Sequence, residues 1–279
     1  MGLTSGSGPF GARPAGVFNF TPEPPTGSVL YFDLVPHRLR GFCAGEAVFD
    51  TLGAKLLYET GHLPVYYVPE EDLRSDLLEP SDKLTHCPHK GDASYRSIRV
   101  GDRVEPDAVW TYREPIAPAA FLAGHSAFYW NKLDEWLVED EQVFGHPRDP
   151  YHRIDTYRTS RPVRVSVDGE TVAESTRAIA LFESGLPPRF YLPTEDVRMD
   201  LLEPSETKTR CAYKGVASYW SVRVGDTLQE DLAWTYADPD ADGRPIRGLI
   251  CFFNERVDLE VGGDAQKRPV TQWSPPASR

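Results

Sequence analysis

The chain has no CxxC pair, no run of lysine and arginine, and no apolar stretch long enough to cross a bilayer. Each absence excludes something. The four cysteines, Cys43, Cys87, Cys211 and Cys251, are scattered, which argues against a disulfide framework and a sequence-evident zinc finger. Reduced thiols in a cytoplasmic protein are the expectation. A net charge of −12 without a basic patch disfavours nucleic acid and anionic membranes as partners. The most apolar window, residues 116–130, is too short and too interrupted to span a membrane. The first 28 residues lack the basic start and apolar stretch of a signal peptide.

What is present is a duplication. Residues 74–102 (RSDLLEPSDKLTHCPHKGDASYRSIRVGD) align without a gap to residues 198–226 (RMDLLEPSETKTRCAYKGVASYWSVRVGD), a constant shift of 124 positions from Arg74 to Arg198. More than half the positions from Arg74 to Tyr112 are identical to their counterparts. The same shift pairs Gly45 with Gly169, Glu59 with Glu183, Tyr67 with Tyr191, Trp110-Thr111-Tyr112 with Trp234-Thr235-Tyr236, and Phe128 with Phe252. Two long units at this period are tandem domains rather than a solenoid. The sequence divides into a Gly/Pro/Ser-rich segment 1–28 expected to be disordered, a first domain 29–138, a charged connector 139–160, a second domain 161–268 and a loose tail 269–279.

The 25 prolines and 22 glycines leave little room for long helices. Residues 163–174 (VRVSVDGETVAE) alternate apolar and polar around Asp168-Gly169, the signature of a hairpin with a type I′ turn. Ala44-Gly45 holds that place in the first copy. Short strands are expected at 54–59, 64–68, 94–100, 108–112, 126–130 and 133–138, each with a counterpart 124 residues later. Residues 70–78 and 194–202 alone read as helical, stopped by Pro80 and Pro204. The fold expected is mainly β: two tandem compact domains, each a sheet or small barrel-like sheet with one short helix. The absence of a βαβ pattern disfavours a Rossmann-type nucleotide site.

The shared element that invites chemistry is Thr-x-Cys-x-x-Lys-Gly-x-Ala-Ser-Tyr-x-Ser, at 85–97 and 209–221. Neither strand nor turn requires Lys or Cys. A Lys three residues after a Cys across a turn would favour a thiolate, making Cys87, Lys90, Cys211 and Lys214 candidate nucleophiles or acid–base groups. The alternative is a small buried Cys, a Lys that snorkels or pairs with Glu79 or Asp76, and a Gly that merely turns the chain. No His repeats beside the Cys. Candidate ligand-binding residues are Thr85, Lys90, Tyr95, Trp110 and Tyr112, with Thr209, Lys214, Tyr219, Trp234 and Tyr236. Trp and Tyr two apart on a strand face one side, and they either wall a pocket or form the core. Arg74 with Glu79, and Arg198 with Glu203, form either a structural pair or an anion fork.

Three further clusters carry less. His86-Cys87-Pro88-His89 lacks a fourth ligand and is not repeated, so no metal is expected there. Residues 238–243 resemble the start of a calcium loop but place Leu249 where a Glu is needed, and read as an acidic loop. His146, Tyr151 and His152 lie in the connector, where a pocket or plain polar surface are the alternatives.

The Tyr-x-Pro-x-x-Asp-Val/Leu stretches at 67–73 and 191–197, the Thr-x-Cys-x-x-Lys-Gly-x-Ala-x-Tyr element and the Trp-x-Tyr that follows resemble the DUF427 family, whose function is unknown. The resemblance covers residues 36–138 and 160–262. It implies a compact β fold akin to the β-tent group, some members of which bind zinc through paired CxxC motifs that this chain lacks. The family also carries a nucleotidyltransferase-type label, but the Gly-Ser and paired Asp of that chemistry have no matching context here. Cys211-Ala212 departs from the Cys-Pro of the first copy. The reading is a protein without a bound cofactor that takes a small molecule near the Cys–Lys motif, with an enzyme using Cys or Lys and a module without a pocket as the alternatives.

Overall fold

The computed structural model describes residues 2–275, which divide into a unit ending at residue 151 and a unit from residue 152 onward. The first holds eleven strands: β1 (Leu30–Leu34), β2 (Leu39–Cys43), β3 (Glu46–Thr51), β4 (Lys55–Glu59), β5 (Val65–Pro69), β6 (Leu78–Cys87), β7 (Gly91–Val100), β8 (Arg103–Thr111), β9 (His125–Phe128), β10 (Glu135–Val138) and β11 (Glu141–Val143). The second repeats them: β12 (Ile154–Arg158), β13 (Val163–Val167), β14 (Glu170–Ser175), β15 (Ile179–Glu183), β16 (Arg189–Leu192), β17 (Leu202–Cys211), β18 (Gly215–Val224), β19 (Thr227–Thr235), β20 (Ile250–Phe252), β21 (Asp258–Val261) and β22 (Asp264–Gln266).

Each unit has a seven-stranded antiparallel sheet, ordered β1-β4-β5-β9-β8-β7-β6 and β12-β15-β16-β20-β19-β18-β17, and a four-stranded sheet, ordered β11-β10-β2-β3 and β22-β21-β13-β14. The two topologies are the same. Both large sheets are open, with edges at β1 and β6 or β12 and β17, so the barrel-like alternative does not hold.

The side-chain period of two sorts each large sheet into two apolar faces. Leu56, Tyr58, Tyr66, Val68, Val109 and Phe128 point into one core, with Leu39, Val48, Phe49 and Trp136 of the small sheet. Their strand neighbours Leu57, Tyr67, Trp110 and Ala127 point the other way, into a second cluster with Ala93, Tyr95 and Tyr112. The second unit splits alike, Phe190, Leu192, Ala233 and Phe252 against Leu181, Tyr191, Trp234 and Cys251. The outer face is closed by one irregular 3-10 segment per unit, Ala117–Leu122 and Ala241–Ile246. They contribute Ala119, Leu122 and Ile246.

The Asp168-Gly169 hairpin is present. Both residues have positive φ, 50° and 84°, as do Ala44 and Gly45 at 49° and 83°, as a type I′ turn demands. The helix expected over 70–78 is instead two single 3-10 turns, Glu70–Asp72 and Ser75–Leu77, separated by extended Leu73. The chain leaves helical geometry there because Leu73 bridges to Phe49 and is buried, while Arg74 N–H donates to Val48 O at 2.8 Å. Val197 and Arg198 do the same against β14. Sequence reasoning also missed that residues 78–87 and 202–211 are ten-residue strands. Being edge strands, they tolerate Pro80 and Pro204.

The segments expected to be loose carry contacts. Near the N-terminus, Thr4 O accepts from Gly61 N–H and Phe10 O from Thr60 Oγ1. The connector, long enough that part of it is expected to pack on the domains, gives residues 141–143 to β11 and 154–158 to β12, and the tail packs through Thr271, whose Oγ1 donates to Glu255 at 2.6 Å. Residues 276–279 of that tail lie outside the described residues. No helix among the described residues is long and apolar enough to cross a membrane.

Candidate functional site

The Cys–Lys motif forms the hairpin between β6 and β7, and between β17 and β18. Lys90 N–H donates back to Cys87 O at 3.2 Å, closing the turn. Gly91 follows at φ 101°, and a Cβ there would stand 3.3 Å from Ile116 N; at Gly215, φ 95°, it would stand 3.0 Å from Asp240 N. Lys90 O and Lys214 O accept from those same amides, both at 3.1 Å. The glycine is thus required by the left-handed backbone and by the approach of the loop before the 3-10 segment. The acidic loop 238–243 takes up that packing role in the second unit.

The turn throws each lysine onto the outer face of the large sheet, where it meets a glutamate at the end of β4 or β15. Lys90 Nζ donates to Glu59 and Lys214 Nζ to Glu183. All four side chains are about nine-tenths buried. The expected partners Glu79 and Asp76 are elsewhere: Glu79 pairs with Arg99 and Asp76 with Arg74, both exposed. The proposed Arg74–Glu79 and Arg198–Glu203 pairs are therefore absent, since Arg198 binds Asp200 and Glu203 binds Arg223. Glu59 and Glu183 were legible only as one repeated pair among many.

Around each ion pair stand the aromatic residues of the repeat. Tyr67 lies edge-on to Trp110 at 6.5 Å and Tyr191 to Trp234 at 6.1 Å, with Trp234 Nε1 donating to Tyr191 Oη at 3.0 Å. Thr85 and Tyr95 share a hydroxyl hydrogen bond at 3.0 Å, Thr209 and Tyr219 at 2.8 Å. The Tyr112 ring centroid is 6.0 Å from Lys90 Nζ. Burial, reinforced by Tyr67, Cys87 and Glu59 nearby, holds the Tyr112 phenol far above its ordinary range; burial acts likewise on Tyr236, with Cys211 and Glu183 beside it. Both phenols remain protonated donors at any physiological pH. Every candidate ligand-binding residue named from sequence thus lies on one face, the aromatic ones largely buried in its cluster and Thr85 and Thr209 at its exposed rim.

Cys87 and Cys211 are half-buried on this face, whereas Cys43 and Cys251 are buried. Burial pushes the Cys251 thiol up to about 12 despite Arg189 nearby, which removes it as a nucleophile. Neither Cys87 nor Cys211 hydrogen-bonds a histidine among the described residues. His86 Nδ1 lies 2.6 Å from Asp92 on the exposed surface. No group of three or more His, Cys, Asp or Glu among the described residues is placed to hold a metal.

At the ion pair the two copies differ by a histidine. The side chain of His152, read from sequence as either pocket or plain polar surface, is buried; its Nε2 donates to Glu183 at 3.0 Å and its ring stacks on Tyr213 at 4.2 Å. Ser28 holds its place in the first copy. For Glu183, burial works against ionisation, but the hydrogen bond from His152 and the charge of Lys214 outweigh it and lower the carboxyl to about 2. Because His152 is not repeated, the duplication gave no signal for it.

A family model described as a domain of unknown function, DUF427, matches residues 32–139 and again residues 155–263. The chain is a tandem member of the DUF427 family. Each DUF427 match spans most of one structural unit and contains the lysine, the glutamate and the aromatic face described above. No curated protein matches the chain.

Proposed function

We propose that this DUF427 protein binds a small molecule on the outer face of its seven-stranded sheet, beside the Lys–Glu pair. The observation that carries the reading is a set of polar groups left open on an otherwise apolar face. The Tyr112 and Tyr236 hydroxyls and the Cys87 and Cys211 thiols make no hydrogen bond to any described residue, in both units alike. Neither tyrosine hydroxyl is among the fully enclosed atoms without a partner, so each is within reach of solvent or a ligand. A buried ion pair is likewise a poor stabiliser compared with apolar side chains of the same volume, so its presence in both copies suits a role toward a ligand. Aromatic walls with a few converging polar groups are the usual makeup of small-molecule sites. Four free thiols fit a reducing compartment such as the cytoplasm. Covalent chemistry at Cys87 or Cys211 has less support, since neither thiol hydrogen-bonds a histidine among the described residues.

Native mass spectrometry of gently purified protein tests this. A reproducible bound mass is expected, lost when Tyr112→Phe and Tyr236→Phe are combined, while ligand-free stability changes by less than about 0.5 kcal/mol because those hydroxyls brace nothing. A large loss of stability in the double variant, with no bound mass in the parent, would assign the face to the fold alone.

A further inference from the structure

The two copies differ where the outer face reaches solvent. In the second unit, Arg189 lies over the rings of Trp234 at 5.4 Å, Phe253 at 5.8 Å and Trp273 at 5.6 Å. Its guanidinium is held by Glu255 through two bonds of 2.7 and 2.8 Å, and the arginine and glutamate side chains are 5% and 0% exposed. Thr271 Oγ1 donates to the same carboxylate at 2.6 Å. The strand of chain that brings Thr271 and Trp273 is itself tied, Ser274 Oγ to Pro269 O at 3.2 Å and Thr271 N–H to Ser274 Oγ at 3.0 Å. An indole and a carboxylate from the chain's own C-terminal segment and β20–β21 loop therefore occupy this end of the face, and Phe253 is left 8% exposed.

Among the described residues the first unit has no such occupant. Val65 and Asn131 stand where Arg189 and Glu255 would be. Tyr129, the counterpart of Phe253, is 38% exposed and packs on Trp110 at 4.8 Å. A cation is present nonetheless: Lys83 Nζ lies over Tyr95 at 4.3 Å and Tyr129 at 5.6 Å, and its nearest carboxylate, Asp107, is 3.8 Å away. The second copy has Thr207 there.

We propose that the first unit binds an aromatic carboxylate, its ring on Trp110 and Tyr129 and its anionic group on Lys83, and that the second unit's equivalent place is filled by the chain's own Trp273 and Glu255. The inference rests on the small-molecule reading above, narrows it from both copies to the first at this end of the face, and names what that copy takes. An aromatic plane against the rings of the face and a carboxylate against a cation are the two interactions the second copy satisfies internally, there with the guanidinium of Arg189 as the cation.

Isothermal titration of the full chain with indole-3-acetate as probe decides it. One site per chain is expected. Lys83→Met should weaken binding about tenfold or more, the scale of one charge-assisted hydrogen bond, and the uncharged indole-3-acetamide should bind weaker by a similar factor. Trp273→Ala should add a second, weaker site while leaving the first unchanged. Two sites in the parent, or binding indifferent to Lys83→Met, overturn the assignment. If the probe binds nowhere while a Tyr112→Phe-sensitive mass persists in native spectra, this inference falls and the small-molecule reading stands; if neither is seen, both fall.

Discussion

A lysine ammonium or a glutamate carboxylate taken out of water costs several kcal/mol, and only a close partner offsets it. Lys90 with Glu59 and Lys214 with Glu183 are therefore the residues whose single replacement is most damaging. Lys90→Met is expected to destabilise the first unit by about 3–5 kcal/mol, because it strands a buried carboxylate. Adding Glu59→Leu should restore most of that loss; urea denaturation of the three variants measures both. The second pair also carries a pH dependence. The Glu183 carboxyl is lowered from 4.5 to about 2. A lowered carboxylate stabilises the fold fully above its unfolded pKa and loses that contribution as pH falls through the folded one. The stability advantage of the parent over Glu183→Gln should thus be constant above about pH 4.5 and shrink between about pH 4.5 and 2, as denaturation at pH 7, 4 and 3 would reveal. An advantage unchanged at pH 3 would contradict the arrangement.

At the scale of elements, the hairpin glycine links sequence to site. Gly215→Ala places a Cβ on left-handed backbone and 3.0 Å from Asp240 N, so a loss of about 1–3 kcal/mol is expected, read as a lowered melting temperature. The strands and the Asp168-Gly169 turn were legible because a period of two and a turn requiring positive φ are local properties. The helix over 70–78 was misread for the opposite reason. Its proline and acidic residues are good local helix signals, but burial of Leu73 and the hydrogen bond from Arg74 to Val48 are contacts with β3, and they hold the chain extended at that point. The strand at 78–87 was hidden because an edge strand is mostly exposed and accepts a proline, so it lacks the apolar alternation by which strands are recognised.

At the scale of the molecule, the duplication has a direct consequence. Among the described residues, each unit holds its own pair of apolar clusters, built from its own side chains. A fragment of residues 152–279, expressed alone, is expected to fold and melt cooperatively by circular dichroism; a fragment without a cooperative transition would show that its core is incomplete.

What the sequence determined by itself is what repetition and short-range geometry can encode: two copies, mainly β, with the Cys–Lys–Gly hairpin and the aromatic triplets on one side of a sheet. The tertiary structure decided the partners. Glu59 meets Lys90 only because β4 and the β6–β7 turn converge on the outer face, and nothing in a spacing of 31 residues announces it. His152 joins Glu183 for the same reason. Trp273 and Glu255 reach Arg189 by long-range closure within one copy only, which repeat analysis cannot register because it sees what two units share and not where they part.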